Sequence, residues 1–362
     1  FMMQTRFGKV VAIISQGDQL SEIMTEVEGR MEKAYVYPQL TGNPQPGETV
    51  LLNTTAVRLG LGSGGRHFVQ LIVGREQHEL DGPGHIMKLR YTPWQLKCQT
   101  IDEPGAAGHE ALKDGGNLEG MPVVVAELHS QLAPICLMAK EHSSCKIRLV
   151  YIMPDWAALP IALSNTVRQL QSQGLIDHTI TYGHAFGGDA EAVNIFSALL
   201  AARKVFHADV AVVAMGPGIV GTGTKYGFSG IEQGPALDAV ALMGGKAIAP
   251  LRIGFGDQRE RHYGISHHSL TVLAEIVQNK VRVPLPVLSG DKGIVIYSQL
   301  TAAGIAEKHH LVEVDATDTL DLMQTRQLNV TTMGRGLRAE PEFFMSAGAA
   351  GILAAQEAKG WS

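Results

Sequence analysis

Two different spacings of apolar residues divide the chain near residue 120. Before this point apolar and polar positions alternate in short runs, interrupted by turn-forming glycine, proline and asparagine, as in half-buried strands. After it, continuous apolar runs alternate with longer segments of helical periodicity. Continuous apolar runs are typical of parallel strands that are buried on both faces, and the segments between them predict the helices that cover such a sheet.

The N-terminal part predicts a small β-barrel domain over residues 1–100. Its expected strands are Lys9–Ile14, Leu20–Val27, Met31–Tyr37, Thr49–Asn53 and Phe68–Val73. Strands of this length and number fit an SH3-like or an OB-like barrel. The glycine-rich residues 101–120 are expected to form a linker.

Residues 121–362 predict a doubly wound α/β domain with a mainly parallel, Rossmann-like sheet. The expected strands are Pro122–Ala126, Ile147–Met153, Thr179–Tyr182, Asp209–Met215, Ala247–Ile253 and Leu311–Val314. The expected helices are Gln131–Lys140, Leu159–Gln173, Glu191–Val205, Ala236–Met243, Ile294–Lys308 and Pro341–Lys359.

The glycine-rich segment Gly216–Gly230 directly follows one of these predicted strands. Glycine lets the backbone approach a ligand closely, and successive N–H groups can then bind an anion. The segment also contains the G-x-G-x-x-G spacing, but Arg252 ends the next predicted strand, where a dinucleotide site needs an acid. A surface loop is the alternative. The residues expected to bind a ligand are Gly216, Gly218, Gly221, Gly223, Lys225 and Ser229.

Histidines, acids, arginines and glycines follow most of the predicted strands. Because ligands bind at the carboxyl ends of parallel strands, we expect these residues to share one site. The candidates for proton transfer are Glu127, His184, Asp189, His262 and His267, since imidazole and carboxyl groups transfer protons near neutral pH. Further candidates for binding an anion are Gly187, Gly188, Arg259, Arg261, Arg335 and His85.

Several of these residues have a second interpretation. Asp189 precedes the helix predicted from Glu191 and would serve as its N-cap, with the N–H groups of Gly187 and Gly188 at the positive end of the helix dipole. His267 and His268 would point to opposite sides of a strand, so that only one of them would reach the site.

A metal site is a weaker alternative. It would use residues from the set Glu127, His129, His184, Asp189, His267 and His268. These residues lack the short spacing of a strong ligand motif, so the cofactor stays unknown. A serine nucleophile at Ser229 is weaker still, because the glycine pattern of a nucleophile elbow is missing.

The amino-acid composition excludes several classes of binding partner. The formal net charge of −5 and the aromatic content of 6% argue against nucleic acid, and no apolar stretch is long enough to span a bilayer. The three cysteines form no CxxC pair, which favours a reducing cytoplasm. The expected partner is a small anionic molecule, and a homo-oligomer stays open.

Ten short motifs, in this order, resemble the bacterial domain-of-unknown-function family 3866. They are Asn53–Thr55, Gly82–His85, Arg90–Pro93, Met121–Ser130, Ala185–Asp189, Gly216–Gly218, Gly221–Thr224, Arg259–His262, Ser266–Leu270 and Thr332–Gly336. The resemblance covers nearly the whole chain and implies a bacterial origin, but it carries no activity or catalytic residue. From the residues themselves we expect an enzyme that uses histidine acid–base chemistry on a small phosphorylated or nucleotide-like ligand. The alternative is a non-catalytic sensor that uses the barrel as an interaction surface.

Overall fold

The computed structural model describes residues 2–77, 79, 81–257 and 259–358, with residue 260 described by its backbone alone. The chain forms two compact units, Phe1–Lys97 and Cys98–Ser362. Within the described residues, no helix combines the length and the apolar character needed to cross a membrane.

The first unit contains a closed five-stranded barrel with the strand order β1-β2-β3-β5-β4. Its strands are β1 (Thr5–Ser15), β2 (Ser21–Val27), β3 (Arg30–Val36), β4 (Thr49–Asn53) and β5 (Arg66–Ile72). β3 and β5 pair in parallel, while the other neighbours are antiparallel. The predicted barrel is confirmed, and this closed order with one crossover agrees with an OB-like, Greek-key arrangement.

Alternate residues of the barrel strands face inward and form its core. Ile23 and Val27 of β2 and Val50 and Leu52 of β4 are fully buried, as the period of a strand requires. The unit is completed by two single-turn helices and a strand pair, namely α1 (Pro38–Thr41), α2 (Thr55–Arg58), β6 (Ile86–Lys88) and β7 (Leu96–Cys98).

The second unit is built around an eight-stranded parallel sheet, which confirms the predicted α/β class. Its order is β11-β10-β9-β12-β8-β13-β16-β17, and β14 and β15 form a separate antiparallel pair. The strands are β8 (Pro122–Ala126), β9 (Leu149–Met153), β10 (His178–Tyr182), β11 (Ala190–Ala192), β12 (Val210–Ala214), β13 (Lys246–Ile248), β14 (Ile253–Gly254), β15 (Gly264–Ile265), β16 (Arg282–Pro286) and β17 (His310–Val314).

Helices cover both faces of the sheet, and each face has its own apolar core. Val123 and Val125 of β8 belong to one core, whereas Val124 and Ala126 belong to the other. Burial on both faces is therefore the reason why the run is continuously apolar. The helices are α3 (His109–Leu112), α4 (Leu132–Glu141), α5 (Asn165–Ser172), α6 (Ile195–Lys204), α7 (Gln233–Leu242), α8 (His267–Thr271), α9 (Asp291–Ala302), α10 (Ile305–Lys308), α11 (Thr319–Thr325) and α12 (Pro341–Ala358).

One internal strand, β16, was not expected, because Pro284 and Pro286 lack the N–H that a sheet ladder uses. The carbonyl of Arg282 accepts from Ala249 N–H, so this residue and the two prolines face the β13 side. There the two strands share only the register pair of Ile248 with Arg282. The prolines therefore lie where few hydrogen bonds are made.

Several predicted elements were wrong in their bounds. The helix expected over Leu159–Gln173 begins at Asn165, and the helix expected over Ile294–Lys308 is divided into α9 and α10. The strand expected over Ala247–Ile253 ends at Ile248, and Ile253 belongs to β14 instead. The helix expected from Glu191 begins at Ile195, because β11 occupies its first residues. Residues 101–120 belong to the second unit, where Ile101 N–H donates to the carbonyl of Glu191 and Leu118 is fully buried.

Candidate functional site

A buried carboxylate lies against a histidine at the carboxyl end of β8. Glu127 is fully buried, and its Oε1 lies 3.2 Å from Nδ1 of His268. The hydroxyl of Ser269 donates to the other carboxylate oxygen over 3.0 Å. Nδ1 also lies 3.4 Å from the guanidinium of Arg252, which can only donate, but the carboxylate contact is the shorter one, and we therefore assign the ring hydrogen to Nδ1 as donor to Glu127. In the neutral ring, Nε2 is then the basic nitrogen.

Helix α8 and one aromatic ring hold His268 in place. The helix begins after Ser266, whose hydroxyl accepts from the backbone N–H of His268 over 3.3 Å. Phe228 stacks on the imidazole, with ring centroids 3.9 Å apart and an angle of 8° between the planes. The expectation that His267 and His268 lie on a strand was wrong. As neighbours on a helix, their rings lie side by side, with 4.2 Å between the centroids.

Four arginines, Arg252, Arg259, Arg261 and Arg335, lie in this part of the unit, and two of them are neutralised by acids. Arg259 pairs with Asp257 at 2.7 Å, and Arg335 pairs with Glu340 at 2.6 Å and with Asp257 at 3.2 Å. These arginines hold the pKa of Asp257 well below its usual range, chiefly through the hydrogen bonds from Arg259.

The other two arginines have no acidic partner among the side chains that the structure describes. Arg252 is 7% exposed, and its guanidinium lies 3.4 Å from Nδ1 of His268. Arg261 is exposed. Glu127 and Asp257 favour the charge of Arg252 only from a distance, and a buried guanidinium without a carboxylate in direct contact is costly because its charge has been removed from water. Arg252 and Arg261 together therefore favour the binding of an anion beside His268.

A cavity of about 140 Å³, named here the arginine cavity, lies between these groups. Its lining residues are Ile219, Val220, Gly221, Gly223, Arg252, Arg259, Arg261, His262, His268 and Met333. Polar and cationic groups make up half of this set, so the cavity offers an anion both charge and hydrogen-bond donors.

His262 and His267 have lowered pKa values and are neutral at pH 7. Burial, aided by Arg252 and Arg259, lowers the pKa of His262 to about 3. Burial and the neighbouring His268 lower the pKa of His267 to about 4. Nε2 of His267 is buried and has no hydrogen-bond partner among the described atoms. An anion in the cavity would raise both pKa values, because it offsets the arginine charges.

A second concavity adjoins the first and shares Ile219 and Met333 with it. This cleft, named here the His129 cleft, has a volume of about 380 Å³. Its lining residues are Leu128, His129, Ser130, Leu163, Ser164, Asn165, Thr166, Met215, Gly216, Pro217, Gly218, Ile219, Asn329, Val330, Thr331, Thr332 and Met333.

The segment Gly216–Gly230 borders both concavities. Its middle folds back on itself as a small hairpin, in which Thr222 N–H donates to the carbonyl of Gly227 and Ser229 N–H donates to that of Val220. Gly216 and Gly218 line the His129 cleft, and Gly221 and Gly223 line the arginine cavity, as the preceding lists show. The segment thus contributes lining residues to both spaces.

Two other predicted ligand-binding residues of this segment make contacts away from the arginine cavity. Lys225 pairs with Glu275 at 2.6 Å on the surface. The hydroxyl of Ser229 accepts from Val220 N–H within the hairpin over 3.2 Å. His85 belongs to the first unit, immediately before β6, and its proposed contact with an anion stays a prediction.

The loop after β10 does not border either concavity. Gly187 N–H donates to the carboxylate of Glu191, and Gly188 N–H donates to the hydroxyl of Thr181. The expected anion site at a helix N-terminus was wrong, because these donors are used within the loop and the helix begins only at Ile195. His184 follows β10, which β9 and β12 separate from β8.

Asp189 lies at the opposite edge of the sheet from Glu127. Its carboxylate accepts from the N–H of Thr179 over 2.7 Å, near the amino end of β10. The alternative N-cap role was wrong as well, because Asn194 caps α6. We therefore remove Asp189 from the candidates for proton transfer.

Sequence reasoning gave Arg252 and His268 too little weight. The sequence indicates Arg252 only as evidence against a dinucleotide site, and His268 only as the neighbour of His267 and as a possible metal ligand. The signal that could have found Arg252 is a cation at the end of an apolar run, which is rarely buried without a partner. No group of three or more His, Cys, Asp or Glu suited to a metal ion occurs within the described ranges.

Comparison with known proteins identifies a family but no activity. The family model described as "Protein of unknown function (DUF3866)" matches residues 33–351. None of the curated proteins matches the chain. The match begins within β3, so that β1 and β2 precede it, and it includes nearly all of the α/β unit with both concavities. The chain therefore belongs to the DUF3866 family of proteins of unknown function.

Proposed function

We propose that this protein is an enzyme that binds a small phosphorylated or nucleotide-like ligand and moves protons with histidine. The observation that carries the proposal is the Glu127–His268 pair, whose histidine lines a cavity together with two arginines, Arg252 and Arg261, that have no described acidic partner. A carboxylate-oriented imidazole supplies a base, and the arginines supply the charge that an anionic substrate needs.

The sizes of the two concavities support a ligand with two chemically different parts. The arginine cavity, at about 140 Å³, suits a single phosphate or carboxylate group. The adjoining His129 cleft, at about 380 Å³, suits the organic remainder of a small molecule. If Arg252 and Arg261 bind the phosphate, the ligand atoms that are bonded to the phosphate would lie beside His268.

Proton transfer follows from how the ring of His268 is held. Glu127 accepts a hydrogen bond from Nδ1–H. Its carboxylate stabilises the imidazolium that forms when Nε2 takes a proton. The stacked Phe228 restricts ring rotation, so that the basic nitrogen keeps one direction. His262 also lines the arginine cavity, and a bound anion would make it a proton donor by raising its pKa.

Binding is tested first, with inorganic phosphate in calorimetry and a panel of phosphorylated metabolites in thermal-shift assays. Arg252→Gln and Arg261→Gln should each weaken binding about 10- to 100-fold, since a charged hydrogen bond contributes roughly 1.5–3 kcal/mol. Arg148→Gln is the matched control, because Arg148 is exposed and lies beside the amino end of β9. Equal binding by all three variants would contradict the anion site.

Turnover then separates an enzyme from a sensor. For any ligand found, His268→Gln and Glu127→Gln should lower the rate of product formation by roughly 100- to 10,000-fold with little change in affinity. If the wild type binds the ligand but forms no product, while these variants change affinity alone, the protein is a sensor instead.

A further inference from the structure

We propose that Ser164 and His129 form a nucleophile–base pair in the His129 cleft, where they would cleave carboxylic esters with an uncharged acyl group. The inference concerns a different space from the arginine cavity and does not rest on anion binding. The starting observation is that each ring nitrogen of His129 makes one hydrogen bond, and the two bonds are 2.7 and 2.9 Å long.

The hydrogen bonds of His129 fix its tautomer. Nδ1 lies 2.9 Å from the backbone carbonyl of Met215, and a carbonyl can only accept. In the neutral ring Nδ1 therefore carries the hydrogen, and Nε2 is left as an acceptor. The hydroxyl of Ser164 lies 2.7 Å from Nε2 and must donate to it. This is the orientation in which a histidine activates a serine, with a carbonyl in place of the usual carboxylate.

The fold brings this pair together at the carboxyl edge of the sheet. His129 follows β8 by three residues, and Met215 follows β12 directly. These two strands are neighbours. Ser164 precedes α5, and its Oγ also accepts from Val167 N–H over 3.1 Å. That N–H would stabilise negative charge that develops on Oγ during attack.

The same cleft contains backbone donors for an oxyanion. Gly216 and Gly218 line it, and their N–H groups donate to no acceptor among the described residues. In acyl transfer such donors bind the oxygen of the tetrahedral intermediate.

The lining of the cleft indicates the substrate class. None of its lining residues, as given above, is Asp, Glu, Lys or Arg, and Leu128, Leu163, Met215, Ile219 and Val330 contribute apolar side chains. The remaining lining residues are glycine, proline, methionine or uncharged polar residues, and a wall without charge favours an uncharged acyl group over a charged one.

The proposed reaction needs no cofactor. Oγ of Ser164 attacks the ester carbonyl carbon as its proton moves to Nε2 of His129, and the carbonyl oxygen becomes the oxyanion. Collapse breaks the bond to the alcohol, which leaves with the proton from Nε2. Water then attacks the acyl-serine and gives its proton to Nε2. The acid is released as Oγ takes that proton back, so that both residues are regenerated.

The competing interpretation is that Ser164 serves only as the N-cap of α5. Labelling with an alkyl fluorophosphonate, followed by peptide mass spectrometry, distinguishes the two roles. We expect one covalent adduct, located on Ser164, and hydrolysis of p-nitrophenyl butyrate by the unlabelled protein. Ser164→Asn should abolish both and still cap the helix, since asparagine is a favourable N-cap residue.

A second variant keeps the test valid if Ser164→Asn does not fold. His129→Gln leaves the serine and its cap in place but removes the base, so labelling of Ser164 should slow at least 100-fold. Its rate in the wild type should fall at acidic pH, because burial lowers the pKa of His129 to about 4 and the base is lost only below that pH. Arg148→Gln should be labelled like the wild type. No adduct in the wild type, or equal labelling rates in the wild type and His129→Gln, would overturn the proposal.

Discussion

The absence of a side chain at Gly230 leaves the space that Glu127 occupies when it contacts His268. A Cβ on Gly230 would lie 2.7 Å from Cγ of Glu127, closer than side-chain atoms can approach. The glycine-rich segment therefore does more than border the two concavities. Its last residue lets the backbone cover a buried carboxylate and exclude water from it, which strengthens every charge interaction there.

Gly230→Ala should displace Glu127 and lower the free energy of unfolding by about 1–3 kcal/mol, as overpacking in a core does. Urea denaturation measures the change. The control is Gly293→Ala in the first turn of α9, where the added methyl meets only an ordinary contact at 3.6 Å. That substitution should raise the unfolding free energy by about 0.5–1 kcal/mol. A wild-type value for Gly230→Ala would mean that Glu127 can move without cost.

Helix α6 shows why capping, as well as apolar periodicity, fixes where an element begins. Asn194 accepts from the N–H groups of Phe196 and Ser197 at 2.9 and 3.1 Å, and the hydroxyl of Ser197 bonds back to the carbonyl of Asn194. These bonds satisfy donors that the first helical turn leaves without partners. Because the helix begins after Asn194, the residues before it adopt the extended conformation of β11, the strand at one edge of the sheet.

Asn194→Ala should lower the unfolding free energy by about 1 kcal/mol, because two N–H groups lose their acceptor. Asn194→Asp should retain most of the stability, since a carboxylate caps equally well. Thermal unfolding of the three proteins at one pH measures the difference. Equal stability of Asn194→Ala and the wild type would show that water replaces the cap at no cost.

At the scale of the whole molecule, histidines whose pKa values are lowered in the native protein make stability depend on pH. The pKa values of His129, His262 and His267 are lowered to about 4, about 3 and about 4 by burial. In the unfolded chain they return to about 6.5. Between about pH 6.5 and pH 4 the unfolded chain therefore binds protons that the native protein does not, and stability must fall as the pH falls.

The expected loss approaches about 1.4 kcal/mol per pH unit for each of the three histidines in the steepest part of this window. Urea denaturation at pH 7.5, 6 and 5 measures it. His262→Asn should reduce the slope, because one titrating group is removed. A slope that is unchanged in this variant would show that His262 titrates normally in the native protein.

The spacing of apolar residues was enough to predict both architectures. Alternation identified the five barrel strands, and continuous runs identified a sheet buried on both faces, because the period of a strand and its burial are local properties of the sequence. The same reasoning failed at β16, because its two prolines argue against a strand although the hydrogen-bond ladder to β13 is short. It also failed at β11, whose three residues are too few to show a period.

Which reactive side chains meet was decided only by the tertiary structure. Glu127 and His268 are 141 positions apart, and His129 and Ser164 are 35 positions apart. Strand order, which no local pattern encodes, sets β8 beside β12 and moves the loop after β10 away from both. The sequence by itself determined the types of residue at the ends of the strands. Their distances, the burial of Arg252 and the low histidine pKa values follow from packing, since each depends on groups that are remote along the chain.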